Sequence, residues 1–384
     1  MFDVILGVSN AGKSTYIAEL AAREPRRPVV MGFEIGTDTR LSDEIVHYNL
    51  LRPFDNRADR AHLPLIGDPA LVPILDGLMR CRLTMLVCRP STLIRRCLLR
   101  TTIEPILRGT DSAYPRDTVF EFLCRVPPAE VYGRWIDFFE HEHGASIDYV
   151  TSDDKAFRRI SRSEAVAILS DPSPASYSAE ERADILSKFS FPYQGEDGIT
   201  RRESLVRIQP YLQGERALDV GCAEGFFSFE MEKVGMRVVG TDIKIDRFLA
   251  ANAKRVVTGS KVDFRFTDAI PTGEHFDTIL CLNVLHHLPD PIGTIRRISE
   301  ACVGVAIIEF ATPSDPLFRS TFSQSPPLNG APVIGVSSLL GRDQTFLFSP
   351  EAIRRICLDH ATLFKSVEFL QSPIPERMIA VCRK

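Results

Sequence analysis

Two glycine-bearing turns constrain this chain more than anything else in it. GVSNAGKST (7–15) and DVGCAEGFF (219–227) each follow an apolar run and precede a stretch with helical spacing. A strand that passes through a glycine turn into a helix is the building unit of a parallel, doubly wound α/β sheet, because the crossover helix must return over one face. Two such units lie far apart in a chain of 384 residues. Single cores stop growing near roughly 250–300 residues, so two domains are expected.

Apolar periodicity fills in both halves. Strands are expected at 2–7, 28–35, 45–51, 83–88 and 146–152, with helices at 13–23, 69–79 and 127–144. The second half gives strands at 216–221, 237–243, 262–269, 276–284 and 303–311. It also gives helices at 225–234, 246–256, 291–301 and 349–360, and a closing hairpin from FKSVEFLQ and RMIAVCRK. Residues 153–200 are more polar and carry two short helical stretches around DPSPASYS. The expected organisation is a first domain over 1–152, a partly helical connector over 153–200 and a second domain over 201–384.

The formal charge of −4 offers no global basic field for nucleic acid or an acidic membrane. Nine cysteines are scattered without a C-x-x-C pair, which argues against a zinc or dithiol site and for buried, reduced thiols in a cytoplasmic protein. No charged leader with a cleavage site is evident, and no apolar run reaches the ~20 residues that span a bilayer. The expectation is a cytoplasmic protein without membrane partners.

In the first turn, Gly7, Gly12, Lys13 and Ser14 complete the G-x-x-x-x-G-K-S pattern between a strand and a helix. Such glycines let successive N–H groups and the helix N-terminus face anionic oxygens. Lys13 would reach the β/γ-phosphates of ATP, Ser14 would ligate Mg2+, and Thr15 completes the binding set. Beyond the strand at 83–88, RPSTLIRRCLLR places Arg95, Arg96 and Arg100 on a helix. Together these features resemble the small P-loop kinases over residues 1–150. The resemblance implies that Arg96 and Arg100 stabilise charge on a transferred phosphoryl group, with Lys13 as the catalytic lysine. One departure stands out: IVHYNLL puts Asn49 where a metal-orienting aspartate is expected. Glu34, Asp38 and Asp43 are the alternative carboxylates, and no N-K-x-D base-reading motif favours a GTPase.

The second turn holds Asp219, Gly221 and Gly225. Asp242 closes the next strand, where an acidic side chain can accept both hydroxyls of a ribose. Asp268 ends the strand after that, placed for an adenine amino group. FDTILCLNVLHHLPDP then ends over the same crevice. These features in this order resemble class I S-adenosylmethionine-dependent methyltransferases, from about residue 200 to 384. The resemblance implies that Gly221 and Gly225 hold the methionine part of S-adenosylmethionine, Asp242 the ribose, and Asp268 with Ala269 the adenine. Asp219 and Asn283 complete the cofactor set. His286 and His287 sit at the reactive end, where either could act as a base toward a hydroxyl acceptor. Glu309 and the long loop 312–346, with Arg319, Gln324, Arg342 and Asp343, are expected to cover the acceptor.

The expected fold is therefore α/β with two doubly wound domains: an N-terminal P-loop NTPase/kinase-like sheet and a C-terminal Rossmann-like class I methyltransferase. The expected activity is bifunctional. It combines O-methylation of a small molecule or glycan with ATP-dependent phosphoryl transfer. Two alternatives stay open: an RNA methyltransferase with an ATPase or end-kinase module, and a methyltransferase gated by a nucleotide-sensing P-loop domain.

Overall fold

The run Phe2–Gly7 forms a strand with all six residues buried (β1). A strand buried at every position needs both sheet faces covered, as in a parallel α/β layer. The computed structural model describes residues 1–50, 68–99, 118–153, 156–189, 199–313, 330–336, 346–358 and 363–384. The chain divides into two compact units, Met1–Ile185 and Leu186–Lys384. Among the described residues, no helix is long and apolar enough to cross a membrane.

In unit 1, β1 leads through the first glycine turn into α1 (Lys13–Arg23). Next come β2 (Val29–Met31), β3 (Ile45–Asn49), α2 (Leu71–Asp76), β4 (Cys81–Val87) and α3 (Pro90–Leu98). The unit continues with α4 (Thr118–Arg125), α5 (Pro128–Ile136), β5 (Ile147–Thr151), β6 (Arg158–Ile160) and α6 (Arg162–Leu169). The sheet order is β2-β3-β1-β4-β5-β6, parallel except for β6. The chain leaves β1 toward β3 on one side and later crosses to β4 on the other. The carboxyl end of β1 is thus a topological switch point, where open α/β sheets bind ligands. Trp135 anchors the core beneath it, stacking on Phe139 and donating its indole N–H to the Leu50 carbonyl at 3.1 Å.

Two expectations for this half change. The strand expected over 28–35 is extended only through Met31. Gly32–Glu34 then closes into a 3₁₀ turn, because the Glu34 carboxylate accepts the Met31 N–H at 2.9 Å. The stretch 153–200 does not stand apart as a connector either. Ile160 pairs with Tyr149, which adds β6 to the sheet edge, and α6 buries Ala165 and Leu169 against β4, β5 and α5. The division between the units falls within α7 (Ala179–Lys188).

Unit 2 opens with α8 (Ile199–Ile208) and alternates through β7 (Arg216–Val220), α9 (Phe226–Lys233), β8 (Arg237–Asp242), α10 (Ile245–Thr258) and β9 (Asp263–Phe266). After β10 (Phe276–Cys281), α11 (Pro291–Ala301) and β11 (Cys302–Ala311) comes a short antiparallel pair, β12 (Ile334–Val336) and β13 (Phe346–Phe348). The chain then forms α12 (Pro350–Leu358), β14 (Ser366–Gln371) and β15 (Arg377–Arg383). The seven-stranded order is β14-β15-β11-β10-β7-β8-β9. The terminal hairpin inserts β15 antiparallel beside β11, from Val305 opposite Arg383 to Ala311 opposite Arg377. A continuous core of Ile279, Ile298, Ile308, Phe310, Phe348 and Ile353 joins β10 and β11 to the helices on one face. The carboxyl end of β7, flanked by β8 and β10, is the switch point of this sheet.

Candidate functional site

The turn after β7 is built from left-handed backbone. Gly221 has φ 67° and Gly225 φ 84°, with Ala223 at φ 50° between them. A Cβ on Gly221 would stand 2.4 Å from Val284 Cγ2, and one on Gly225 2.6 Å from the Phe264 ring. Both positions therefore exclude side chains by conformation and by space. The turn is tied to the next strand by the Cys222 N–H bonded to the Thr241 carbonyl at 2.9 Å. Asp242, at the end of β8, accepts the Ala223 N–H at 2.8 Å through one oxygen and the Lys244 N–H at 2.7 Å through the other. Burial raises its carboxyl above the ordinary range, and those two amides pull the other way.

Asp219 lies beneath the turn and accepts the Ser228 hydroxyl of α9 at 2.6 Å. Burial pushes this carboxyl up to about 6, with the Ser228 bonds opposing and the nearby Asp242 charge adding to it. The folded state thus holds the proton more tightly than the unfolded chain. The stabilisation is fully present below the ordinary carboxylate range and is lost as pH rises through about 6. Relative to Asp219→Asn, the wild-type chain is expected to lose on the order of 2–3 kcal/mol between pH 4 and pH 7. Urea unfolding across that range checks it, and parallel pH profiles for the two proteins would refute it.

Arg201 from α8 forms a buried ion pair with Glu224 inside the glycine turn. Burial alone would raise the Glu224 carboxyl, but the Arg201 bond and charge, with Lys254 of α10, hold it below the usual range. This pair fixes the turn from its helix side and keeps a cation beside it.

Past β10, Asn283 takes φ 61°, a conformation that asparagine tolerates better than most residues. His286 is fully buried, and neither ring nitrogen has a hydrogen-bond partner. Burial, with Arg377 and His287 nearby, pushes it down to about 2, so the ring stays neutral. His287 is exposed, with its ring centroid 4.2 Å from that of His286. Glu309 on β11 is buried and accepts the Ser372 hydroxyl at 2.5 Å. Asp268 and Ala269 lie beyond the end of β9, exposed in a bend that the Ala269 N–H closes onto Thr267 at 3.0 Å. Strands β9 and β10 end earlier than expected, at Phe266 and Cys281, so these residues and Asn283 sit on loops past the strand ends. Arg319, Gln324, Arg342 and Asp343 lie outside the described residues.

A family model described as a methyltransferase domain matches residues 161–359, just over half of the chain. The chain belongs to this methyltransferase-domain family. The ubiquinone biosynthesis O-methyltransferase of Nitrosospira multiformis is 32% identical over 133 residues, which cover 34% of this chain and 52% of that protein. The protein of the same name from Hahella chejuensis is 36% identical over 119 residues, covering 30% and 46%. The chain spans about half the length of these curated relatives. Among solved structures, the magnesium protoporphyrin IX methyltransferase of Synechocystis PCC 6803 with bound SAH aligns at a TM-score of 0.35 and 17% identity. That alignment covers 55% of this chain and 90% of the other. The C-terminal half is a class I S-adenosylmethionine-dependent methyltransferase domain with an α/β Rossmann-like fold. The turn and Asp242 fit its cofactor: left-handed glycines keep side chains off the strand ends, and a buried carboxylate closes the neighbouring strand.

Unit 1, whose first 160 residues precede the matched region, carries its own cavity of about 510 Å³ over the first glycine turn. Lys13, Ser14, Thr15, Asn49, Arg96 and Phe157 are among its lining residues. Asn10 and Gly12 take left-handed backbone, at φ 70° and 92°. Lys13 is buried, with its ammonium turned onto the Gly7 and Val8 carbonyls at 2.7 Å each. Tyr132 of α5 braces the turn, accepting the Val8 N–H at 3.2 Å and donating to the Leu86 carbonyl at 2.8 Å. Of the arginines placed on the helix after the 83–88 strand, Arg96 is pinned to the Asn10 carbonyl at 3.2 Å and to Ser152, whereas Arg95 pairs with Glu181. Arg100 lies outside the described residues.

Asn49 donates to the Ser9 hydroxyl at 2.9 Å at the end of β3. Two of the alternative carboxylates are engaged elsewhere: Glu34 closes its own turn, and Asp43 pairs with Arg27 at 3.3 Å. Sequence reasoning missed His47, another lining residue, which burial and the Lys13 charge push down to about 4. It also missed Ser152, Phe157, Arg201 and Ser228. Each becomes part of a site through a partner distant in sequence, so no local pattern marks it.

Proposed function

We propose that unit 2 methylates an oxygen of a small molecule or glycan, and that unit 1 is a P-loop module binding ATP with Mg2+. The observation that carries the first reading is the Asp242 carboxylate, held by two backbone amides at a strand end beside the left-handed glycine turn. Bound S-adenosylmethionine would supply an electrophilic methyl group on a sulfonium. Around it, Asp242 would orient the ribose, the Gly221–Gly225 turn the methionine portion, and Asp268 with Ala269 the adenine. Asp219 and Asn283 would complete the same site. Because His286 is sealed in the interior and its basicity is depressed by burial, the exposed His287 would be the one to accept the proton of an acceptor hydroxyl. The curated relatives carry O-methyltransferase in their names, which supports oxygen as the acceptor.

In unit 1, the switch-point cavity with Lys13, Ser14, Thr15 and Arg96 supports binding of a polyphosphate. Arg96 would neutralise phosphate charge and Ser14 would contact the metal. Phosphoryl transfer to an acceptor is the kinase form of this reading. A specific observation favours a second form, in which nucleotide binding gates methylation. An amide, not a carboxylate, closes β3 beside the loop and is already bonded to Ser9.

One experiment separates the forms. The chain is incubated with ATP, Mg2+, labelled S-adenosylmethionine and a metabolite extract, beside Lys13→Ala and Asp242→Ala, and products are read by mass spectrometry. The kinase form predicts products gaining a phosphoryl group that Lys13→Ala loses. The gating form predicts methylation without phosphoryl gain, weakened in Lys13→Ala. Absence of any methylated product would overturn the methyltransfer reading.

A further inference from the structure

Unit 2 carries a cavity of about 540 Å³ between α9 and α10, and none of Asp219, Asp242, Asp268 or Asn283 lines it. Phe226 and Phe229, three apart on α9, and Lys254 and Thr258, four apart on α10, each share a helix face and line it. Phe264 of β9 meets Phe229 edge-on, with centroids 5.4 Å apart and planes at 72°. Phe227 meets Phe226 in the same way at 5.1 Å and 86°. Both lining rings are half-buried and held in plane by these contacts.

The charges around the rings are unevenly used. All three lining carboxylates are engaged: Glu224 with Arg201, Glu230 with Lys233 at 2.6 Å, and Glu232 with the Lys261 N–H. The ammonium groups of Lys254 and Lys261, which also line the cavity, have no hydrogen bond or ion pair among the described residues. Lys261 is exposed, but Lys254 is half-buried. Burial holds the Lys254 amine below the ordinary lysine range, opposed by the Glu224 charge and aided by that of Arg201. A cation partly stripped of water and left without a partner gains from an added anion.

We propose that this cavity binds a small aromatic carboxylate, its charged group against Lys254 and Lys261 and its ring against Phe226 and Phe229. The volume lies within the roughly 300–1,000 Å³ of small-molecule sites, and aromatic walls with a few polar groups are their usual lining. A neutral aromatic would use the rings and leave Lys254 unpaired. A bare inorganic anion would use the lysines and leave the rings idle. Lys233 and Thr258 are the last residues of α9 and α10, so both helices present carbonyls here, not N–H groups. That polarity disfavours a multiply charged anion such as phosphate and leaves a singly charged carboxylate on a flat apolar body.

The test is calorimetric titration of the full chain with naphthoate, with its neutral analogue naphthamide and with acetate. It compares wild type, Lys254→Gln, Lys261→Gln and Phe229→Leu, and unfolding curves confirm that each is folded. Wild type is expected to bind naphthoate about tenfold or more tighter than either naphthamide or acetate. Lys254→Gln should bring naphthoate down to the level of naphthamide, Lys261→Gln should weaken it about threefold, and Phe229→Leu should weaken both aromatic ligands. If Lys254→Gln does not fold, the exposed Lys261→Gln carries the test of charge. Naphthoate binding no tighter than naphthamide or acetate would overturn the proposal. So would naphthoate binding that neither lysine substitution changes, because the ligand would then sit elsewhere. Aromatic binding untouched by Phe229→Leu, or no naphthoate binding to wild type, would overturn it as well.

Discussion

Replacing Asp242 with alanine is expected to raise the dissociation constant for S-adenosylhomocysteine by about a hundredfold or more, read by isothermal titration of the full chain. The carboxylate is buried at the end of β8, and its two oxygens already accept the Ala223 and Lys244 amides. Hydrogen bonds from ribose hydroxyls to an ionised acceptor contribute about 1.5–3 kcal/mol each, so losing two reaches this magnitude. The substitution also orphans two backbone donors and loosens the turn that Ala223 helps to form. Asp242→Asn preserves the shape but removes the charge and one acceptor oxygen, and it should fall between the two. Unchanged affinity in a folded Asp242→Ala protein would remove the ribose assignment, and with it the strongest single support for the cofactor site.

Asp242 was legible in the sequence for the same reason the two sheets were. A run such as RVVGTD has an apolar centre and closes on a charged residue at the carboxyl end of the strand. Mostly apolar strands, left-handed glycines and a helix behind each turn are local consequences of local residues. What escaped was set by side-chain partners that apolar periodicity does not register. The strand at 28–35 stops early because a side chain three residues on captures its backbone. His286 and His287 are neighbours of the same type, yet one is sealed in the interior and the other faces water. No periodicity separates them, because the difference lies in what packs over each ring. The pair β12–β13 closes inside a stretch whose composition reads as loop, and its stability comes from Phe346 and Phe348 packing at the core, not from propensity. Arg96 was found as a cation near the first loop, but not that Ser152 pins it.

The Arg201–Glu224 pair belongs to the same class of feature, and it yields the largest expected loss of stability. Taking two charges out of water is costly, and their attraction repays this only while both are present. Glu224→Gln leaves the Arg201 guanidinium buried without its counter-charge, and about 3–5 kcal/mol of stability should be lost at neutral pH, measured by urea unfolding. The double replacement Arg201→Met with Glu224→Gln should recover most of that loss, because the buried guanidinium goes with its partner and only the less buried Lys254 ammonium remains beside the turn. The pH dependence follows from the direction of the shift. Glu224 is held below the ordinary carboxylate range, so its contribution is complete above that range and is lost only as pH falls through the depressed value. Wild type and Glu224→Gln should therefore converge in strong acid and diverge toward neutrality, the opposite slope to that expected from Asp219. A loss in Glu224→Gln that the double replacement does not recover would mean that the carboxylate supports the glycine turn by itself, and not through its pairing with Arg201.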